Sequence, residues 1–344
     1  MLLGGALGSL FSLLQAVASP IIGVLSDRHG RRTALLWSMV GNILSVALWV
    51  AATDFRTFLA SRVVGGLSEG NVQLAIAIAT DISDETQRGA TMALVGICFS
   101  IAFTFGPALG AWLSTVTSVA ANPFASAAAF SLFLIVTETV YLYFCLPETL
   151  PTAIDKPAAN GEGVATNGAA NGTVKASLEK KTRIRTNSHT LLNATHFFFI
   201  LFFSGMEFSL PFMTYDLFSY GSRETGRLLG FIGLVASLLQ GSVVRRTHPL
   251  RVVQMGVVSC LVAFILLGRV ESQKGLYTAA ALLAVTSATV VTGLNSLSSF
   301  EAGTGERGEK LGNHRSFGKL PALCIPEGSL LMKQQVKQDA LSGP

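Results

Sequence analysis

Five stretches of this chain, residues 2–25, 34–53, 89–114, 252–268 and 275–297, run on without one charged side chain. A helix rises 1.5 Å per residue, so about 20 apolar residues cross a hydrocarbon core of about 30 Å. In lipid every backbone N–H and C=O must be satisfied within the chain, which leaves only helices and closed barrels. The runs lack the period-two alternation of barrel strands. They read as membrane helices.

Four more runs, 56–79, 124–146, 192–218 and 223–244, have the same length and carry a few ionisable residues. Nine membrane segments are therefore expected, in an all-α polytopic fold. The charge content agrees: 13% of residues are charged, against about 25% in soluble domains. The net charge of +5 does not point to nucleic acid, because the basic residues sit in short loops between apolar runs. Placing the loop 26–33 in the cytoplasm puts 19 of the 25 Lys and Arg residues on that side. That excess fixes the expected orientation, with linker and C-terminus cytoplasmic.

The chain divides into an N-terminal half (1–149), a linker (150–190), a C-terminal half (191–298) and a polar, divergent tail (299–344). The linker is rich in Pro, Ala, Asn and Gly and ends in a basic run. It buries too little apolar surface to fold alone. Asn171-Gly172-Thr173 within it fits a glycosylation sequon, but on this topology it faces the cytosol and reads as a chance match. The apolar start has no positive n-region and is not a cleavable signal. Cys98, Cys145, Cys260 and Cys324 show no metal or disulfide spacing. No cofactor and no metal are expected. Gly66-Leu67-Ser68-Glu69-Gly70 fits the hydrolase elbow pattern, yet that elbow needs a strand before its turn, and here the string lies in a membrane run. No phosphate-cradling loop is present, which argues against ATP-driven pumping. The sequence does not read as an enzyme.

The first loop carries more information than its charge. It reads Gly23-Val24-Leu25-Ser26-Asp27-Arg28-His29-Gly30-Arg31-Arg32: a helix exit, a tight turn at Gly30 and a basic re-entry. Asp27 stands at a helix C-terminus, where the dipole disfavours an acid, so it calls for a specific partner. The string matches the signature loop of the major facilitator superfamily, G-x-L-(x)-D-R-x-G-R-R, at each defining position. Three further matches follow in family order. Arg62-Val63-Val64-Gly65-Gly66 resembles the R-x-x-x-G motif of the fourth family helix. Gly106-Pro107-Ala108-Leu109-Gly110 resembles the fifth-helix motif common in antiporters, and Pro147-Glu148-Thr149 resembles the end of the sixth. Residues 61–74 with Asp81 and 103–107 resemble a eukaryotic, tetracycline-transporter-like branch that is linked to organic-anion efflux.

The resemblance implies a solute transporter working by alternating access, with two halves rocking about a midplane cavity. It implies a small organic substrate, an ion gradient (protons) as driving force, and lipid surroundings. Whether the membrane is the plasma membrane or a vacuolar or endomembrane stays open. Gly23, Asp27, Arg28, Gly30, Arg31, Arg32 and Asp81 would gate the conformational change, with Arg31 or Arg28 paired to Asp81. Gly66, Gly70, Gly106, Pro107 and Gly110 would pack helices closely. Intramembrane polar groups are candidates for the substrate or proton pathway by default: Arg62, Glu69, Asn71, Gln73 and Glu207. Arg62 either faces the cavity or snorkels to the outer interface, and Glu207 is either the coupling acid or a neutral, hydrogen-bonded one. Glu138 and Asp216 lie nearer helix ends. The nine segments match family helices two to ten, so the first helix and the last two are expected to be missing, leaving Asp27 without the eleventh-helix dipole that faces it in the family. The alternative function is a non-transporting membrane remnant or interaction protein. Leu13-Leu14-Gln15 and Leu238-Leu239-Gln240 form a weak internal echo between the halves.

Overall fold

A computed structural model describes residues 2–84, 87–115, 125–150, 188–303 and 306–323. Most of the linker, Cys324 and the end of the tail lie outside the described residues, as does the side chain of Pro107. Eleven α-helices are described: α1 (Leu2–His29), α2 (Arg31–Val50), α3 (Phe55–Ser68), α4 (Asn71–Asp81), α5 (Arg88–Thr115), α6 (Ala125–Cys145), α7 (His189–Phe218), α8 (Ser222–Ser242), α9 (Pro249–Leu267), α10 (Gln273–Glu301) and α11 (Arg307–Lys319). Among the described residues, eight of them are long and apolar enough to cross a membrane. The outward surface is apolar, with Trp37 74% and Phe144 79% exposed. In water such a surface would aggregate; facing lipid it is the expected exterior.

The third predicted segment is two helices. The chain breaks at Glu69-Gly70, and Ser38 of α2 fills the gap. The Ser38 hydroxyl donates to the Ser68 carbonyl and accepts from the Gly70 amide at 3.0 Å. Gly66 and Gly70 let α3 and the break lie on α1, since a Cβ at either would run into Leu14 or Ile22. Asp54 caps α3 by accepting from the Thr57 amide at 2.9 Å. The Thr57 side chain and amide together hold its carboxyl below the ordinary value.

Gly106 and Gly110 correct an expectation. A Cβ at either would meet nothing within 4 Å, so they make no close helix contact among the described residues. The second correction concerns the tail. Residues 307–319 form α11, a polar helix inserted between α1 and α7. Its low hydropathy hid it, yet Gly308, Leu311, Gly312 and His314 are buried. Pro20 explains part of its docking. Proline lacks an N–H, which frees the carbonyl four residues back, and the Ser316 hydroxyl donates to that carbonyl, Ala16 O, at 2.6 Å.

Candidate functional site: a charged gate beneath a central cavity

The signature loop closes one end of the bundle. Asp27 Oδ1 and Oδ2 accept from the Gly308 and Glu309 amides at 2.9 and 2.8 Å. These are free amides of the first turn of α11, so Asp27 caps another helix while ending its own. The partner demanded by an acid at a helix C-terminus is therefore the positive end of α11, and the expected absence of that partner is corrected. Approach this close needs bare backbone: a Cβ on Gly23 would overlap the Gly308 carbonyl, and one on Gly308 the Gly23 carbonyl.

Arg31 ties the cap to the rest. Fully buried, it meets Asp27 Oδ1 at 2.7 Å, Asp81 Oδ2 at 2.9 Å and Ser26 Oγ at 2.6 Å. Arg307 closes the ring on Asp81 Oδ1 at 2.7 Å. Two acids and two arginines from α1, α2, α4 and α11 thus neutralise one another where water is scarce, the only arrangement in which burying four charges is tolerable. Of the two arginines proposed for Asp81, the structure pairs Arg31; Arg28 is exposed and outside this network.

Glu148 repeats the device on α2. Its carboxylate accepts from the Arg31 and Arg32 amides at 2.7 and 3.2 Å, across a turn where Gly30 has φ 98°, a conformation that favours glycine. Arg32 reaches α6, donating to the Tyr143 carbonyl at 2.5 Å. Pro147-Glu148-Thr149, a weak motif in sequence, thereby anchors the signature loop.

Past the gate lies a cavity of about 600 Å³ between the halves, lined from α4, α5, α7, α8, α10 and α11. Its charged groups are Glu69, Glu207, Arg315 and Lys319. Arg315 Nη2 meets Glu69 Oε1 at 3.2 Å, and Gln15 donates to the other Glu69 oxygen. Gln73 lines the cavity and donates to Ser19 O at 2.7 Å, binding α4 to α1. Glu207 faces the cavity with no hydrogen-bond partner among the described residues, and Pro211, four positions on, frees its carbonyl. On the far wall Gln240 accepts from Ser100 at 2.8 Å and donates to Ala288 O at 3.3 Å.

Two candidates fall elsewhere. The Arg62 guanidinium lies over the rings of Phe11, Trp49 and Phe58, at 5.3, 4.8 and 5.3 Å, away from the cavity. Cation–π contact offsets the cost of its charge in the bundle, about 2.5–3.5 kcal/mol on insertion scales. Asn71 sits in the first turn of α4 and is not among the cavity-lining residues. Glu138 and Asp216 are exposed. Sequence reasoning missed Arg307, Arg315 and Lys319 by assigning them to a divergent tail. The signal was Arg315-Ser316-Phe317-Gly318, which resembles the entry to the eleventh family helix.

Comparison with known proteins agrees with this architecture. The family model of the Major Facilitator Superfamily matches residues 2–321. The chain is 34% identical over 333 residues to the mouse (Mus musculus) major facilitator superfamily domain-containing protein 10, covering 93% of this chain and 70% of that one. The crystal structure of the human organic anion transporter MFSD10 superposes with a TM-score of 0.77 at 31% identity, over 94% of this chain and 76% of that one. The proton:xylose symporter XylE shares the fold, with a TM-score of 0.71 at 14% identity, over 96% of this chain and 78% of that one. The chain belongs to the major facilitator superfamily, a family of multi-pass membrane transporters for small molecules, and is not an enzyme.

Proposed function

We propose that this chain carries a small organic anion across its membrane by alternating access, coupled to protons and working in the efflux or antiport direction. The supporting observation is the chemistry of the α11 wall. Arg315 and Lys319 both line the cavity, and Glu69 is the acid placed against them. When Glu207 carries its proton, one positive charge is left over where an anionic substrate would sit. The human relative, an organic anion transporter, supports the same reading.

In this reading Glu69 and Gln73 position the substrate beside Arg315, and Glu207 is the coupling acid. The Asp27–Arg31–Asp81–Arg307 ring stabilises the state closed at the signature-loop end, which the positive-inside rule places in the cytoplasm. The halves 1–149 and 191–298 are the rocking bodies. Arg62 steadies α1–α3 through its aromatic cage and takes no part in the pathway.

The test is uptake of a fluorescent organic anion into proteoliposomes carrying a proton gradient. Lys319→Gln and Arg315→Gln should raise the KM for the anion at least about tenfold, the loss of roughly one charged contact. Glu207→Gln should abolish dependence on the gradient. No flux by the unmodified chain under any gradient would sink the proposal and favour a non-transporting membrane protein.

A further inference from the structure

Two histidines that the pathway does not use stack in the contact between α7 and α11. The rings of His196 and His314 lie 4.3 Å apart at 23°, and their residues are only 6% and 1% exposed. His196 Nδ1 donates to the His314 carbonyl at 3.1 Å, and His314 Nδ1 donates to Asn193 Oδ1 at 2.9 Å. A carbonyl oxygen can only accept, so each Nδ1 carries its hydrogen and each Nε2 keeps a bare lone pair. His314 Nε2 is buried with no partner among the described residues, and His196 borders the cavity. The pair therefore offers an unused proton acceptor inside the bundle.

The surroundings suit a neutral pair and resist a charged one. Lys319 of α11 stands beside the His196 ring, with Arg315 next to Lys319 and Gly318 packed on that ring. On α7, His189 lies next to Lys310 of α11 and Glu301 of α10. Glu69 of α4 is committed to Arg315, and Asp27 of α1 to the first turn of α11 and Arg31. None of these acids touches the rings. A proton on His196 adds a positive charge beside Lys319 in a medium that screens poorly.

We propose that the His196–His314 pair is a proton-binding site, separate from Glu207, and that a proton on it unseats α11 from its place between α7 and α1. Because α11 also holds Asp27 and Arg307, its displacement breaks the gate, so acid opens the signature-loop end and alkali closes it. The place of this step in a cycle rests on the transporter reading; the switch itself does not.

The experiment uses the full chain in lipid nanodiscs, native cysteines replaced by serine, with spin labels at His29 and Arg251. Both positions are exposed, at the signature-loop end of the two halves. Pulsed spin-resonance distances are recorded from about pH 8 to about pH 3.5, a window carried below the ordinary imidazole range because burial beside Lys319 opposes the charge. The longer distances should grow with acid in the unmodified chain, and His314→Gln and His196→Gln should remove the pH response. Lys319→Gln leaves the stack in place and should reduce the response, which keeps the idea testable where a histidine variant fails to fold. An unchanged midpoint and amplitude in all three variants, or distances in the unmodified chain that ignore pH, would overturn the switch. Anion flux on the same samples separates the two claims. Distances that respond without flux at any pH remove the transport reading and keep the switch; flux with an unaltered pH profile in the histidine variants does the reverse.

Discussion

The two halves meet along two seams of different chemistry. At the α1/α11 seam, backbone lies on backbone at Gly23, Gly308 and Gly312, and a four-charge ring locks the end. At the α5/α8 seam the contacts are neutral: Gly233 against Thr104, Gly96 against Gln240, and the Ser100–Gln240 hydrogen bond. The charged seam carries a large stake in its geometry. Two acids and two arginines are tolerable together and costly apart, so this seam has two discrete states. The neutral seam has no such stake. Its hydroxyls and amides can slide to new partners, which suits a surface that moves while staying in contact. The charged seam therefore reads as the latch and the neutral one as the bearing.

Breaking the latch should have the largest effect. Asp81→Asn leaves Arg31 and Arg307 short of charge in a buried site, at about 3–5 kcal/mol for an uncompensated pair. Asp27→Asn also loses the cap on α11. Each should abolish transport while the protein remains in the membrane, as membrane fractionation and flux together would reveal; wild-type rates in either variant contradict the latch. Next in size comes steric separation of the helices. Gly308→Ala places a methyl against the Gly23 carbonyl and the Arg31 guanidinium, and backbone there has no room to yield. Cysteine cross-linking of Ala16→Cys with Ser316→Cys, adjacent in the closed seam, should fall severalfold in that background.

The bearing should be more forgiving. Gly233→Ala meets mainly the Thr104 hydroxyl, a side chain that can turn, and the loss in flux should be a few-fold at most and be recovered by adding Thr104→Ala. Gln240→Leu leaves Ser100 without its acceptor, at about 1 kcal/mol for a neutral hydrogen bond. A loss as deep as that of Asp81→Asn would erase the distinction between the seams. Arg28→Gln should change flux least, because Arg28 is exposed beside the ring rather than in it. A large effect there would mean that the closed network is wider than Arg31 and Arg307.

Much of this was readable beforehand. The signature loop announced Asp27, Gly30 and Arg31 by residue type and order, and the Gln15/Gln240 echo marked positions that the fold buries at the two seams, 1% and 3% exposed. What misled was hydropathy applied to α11. A helix that meets the cavity, the gate and its neighbours on every side needs few apolar residues, since its polar groups find partners in protein rather than lipid. The same blindness put Arg62 in the pathway: nothing in a linear string brings Phe11, Trp49 and Phe58 around one guanidinium.

The sequence by itself determined eight membrane helices through hydropathy and the family through the signature loop and its companion motifs, because both signals are carried by neighbouring residues. Only the tertiary structure decided who answers Asp27, where the third segment breaks and which histidines touch. Those contacts join residues as far apart as 282 positions, and a pairing energy that strong exists only once packing has excluded water from between the partners.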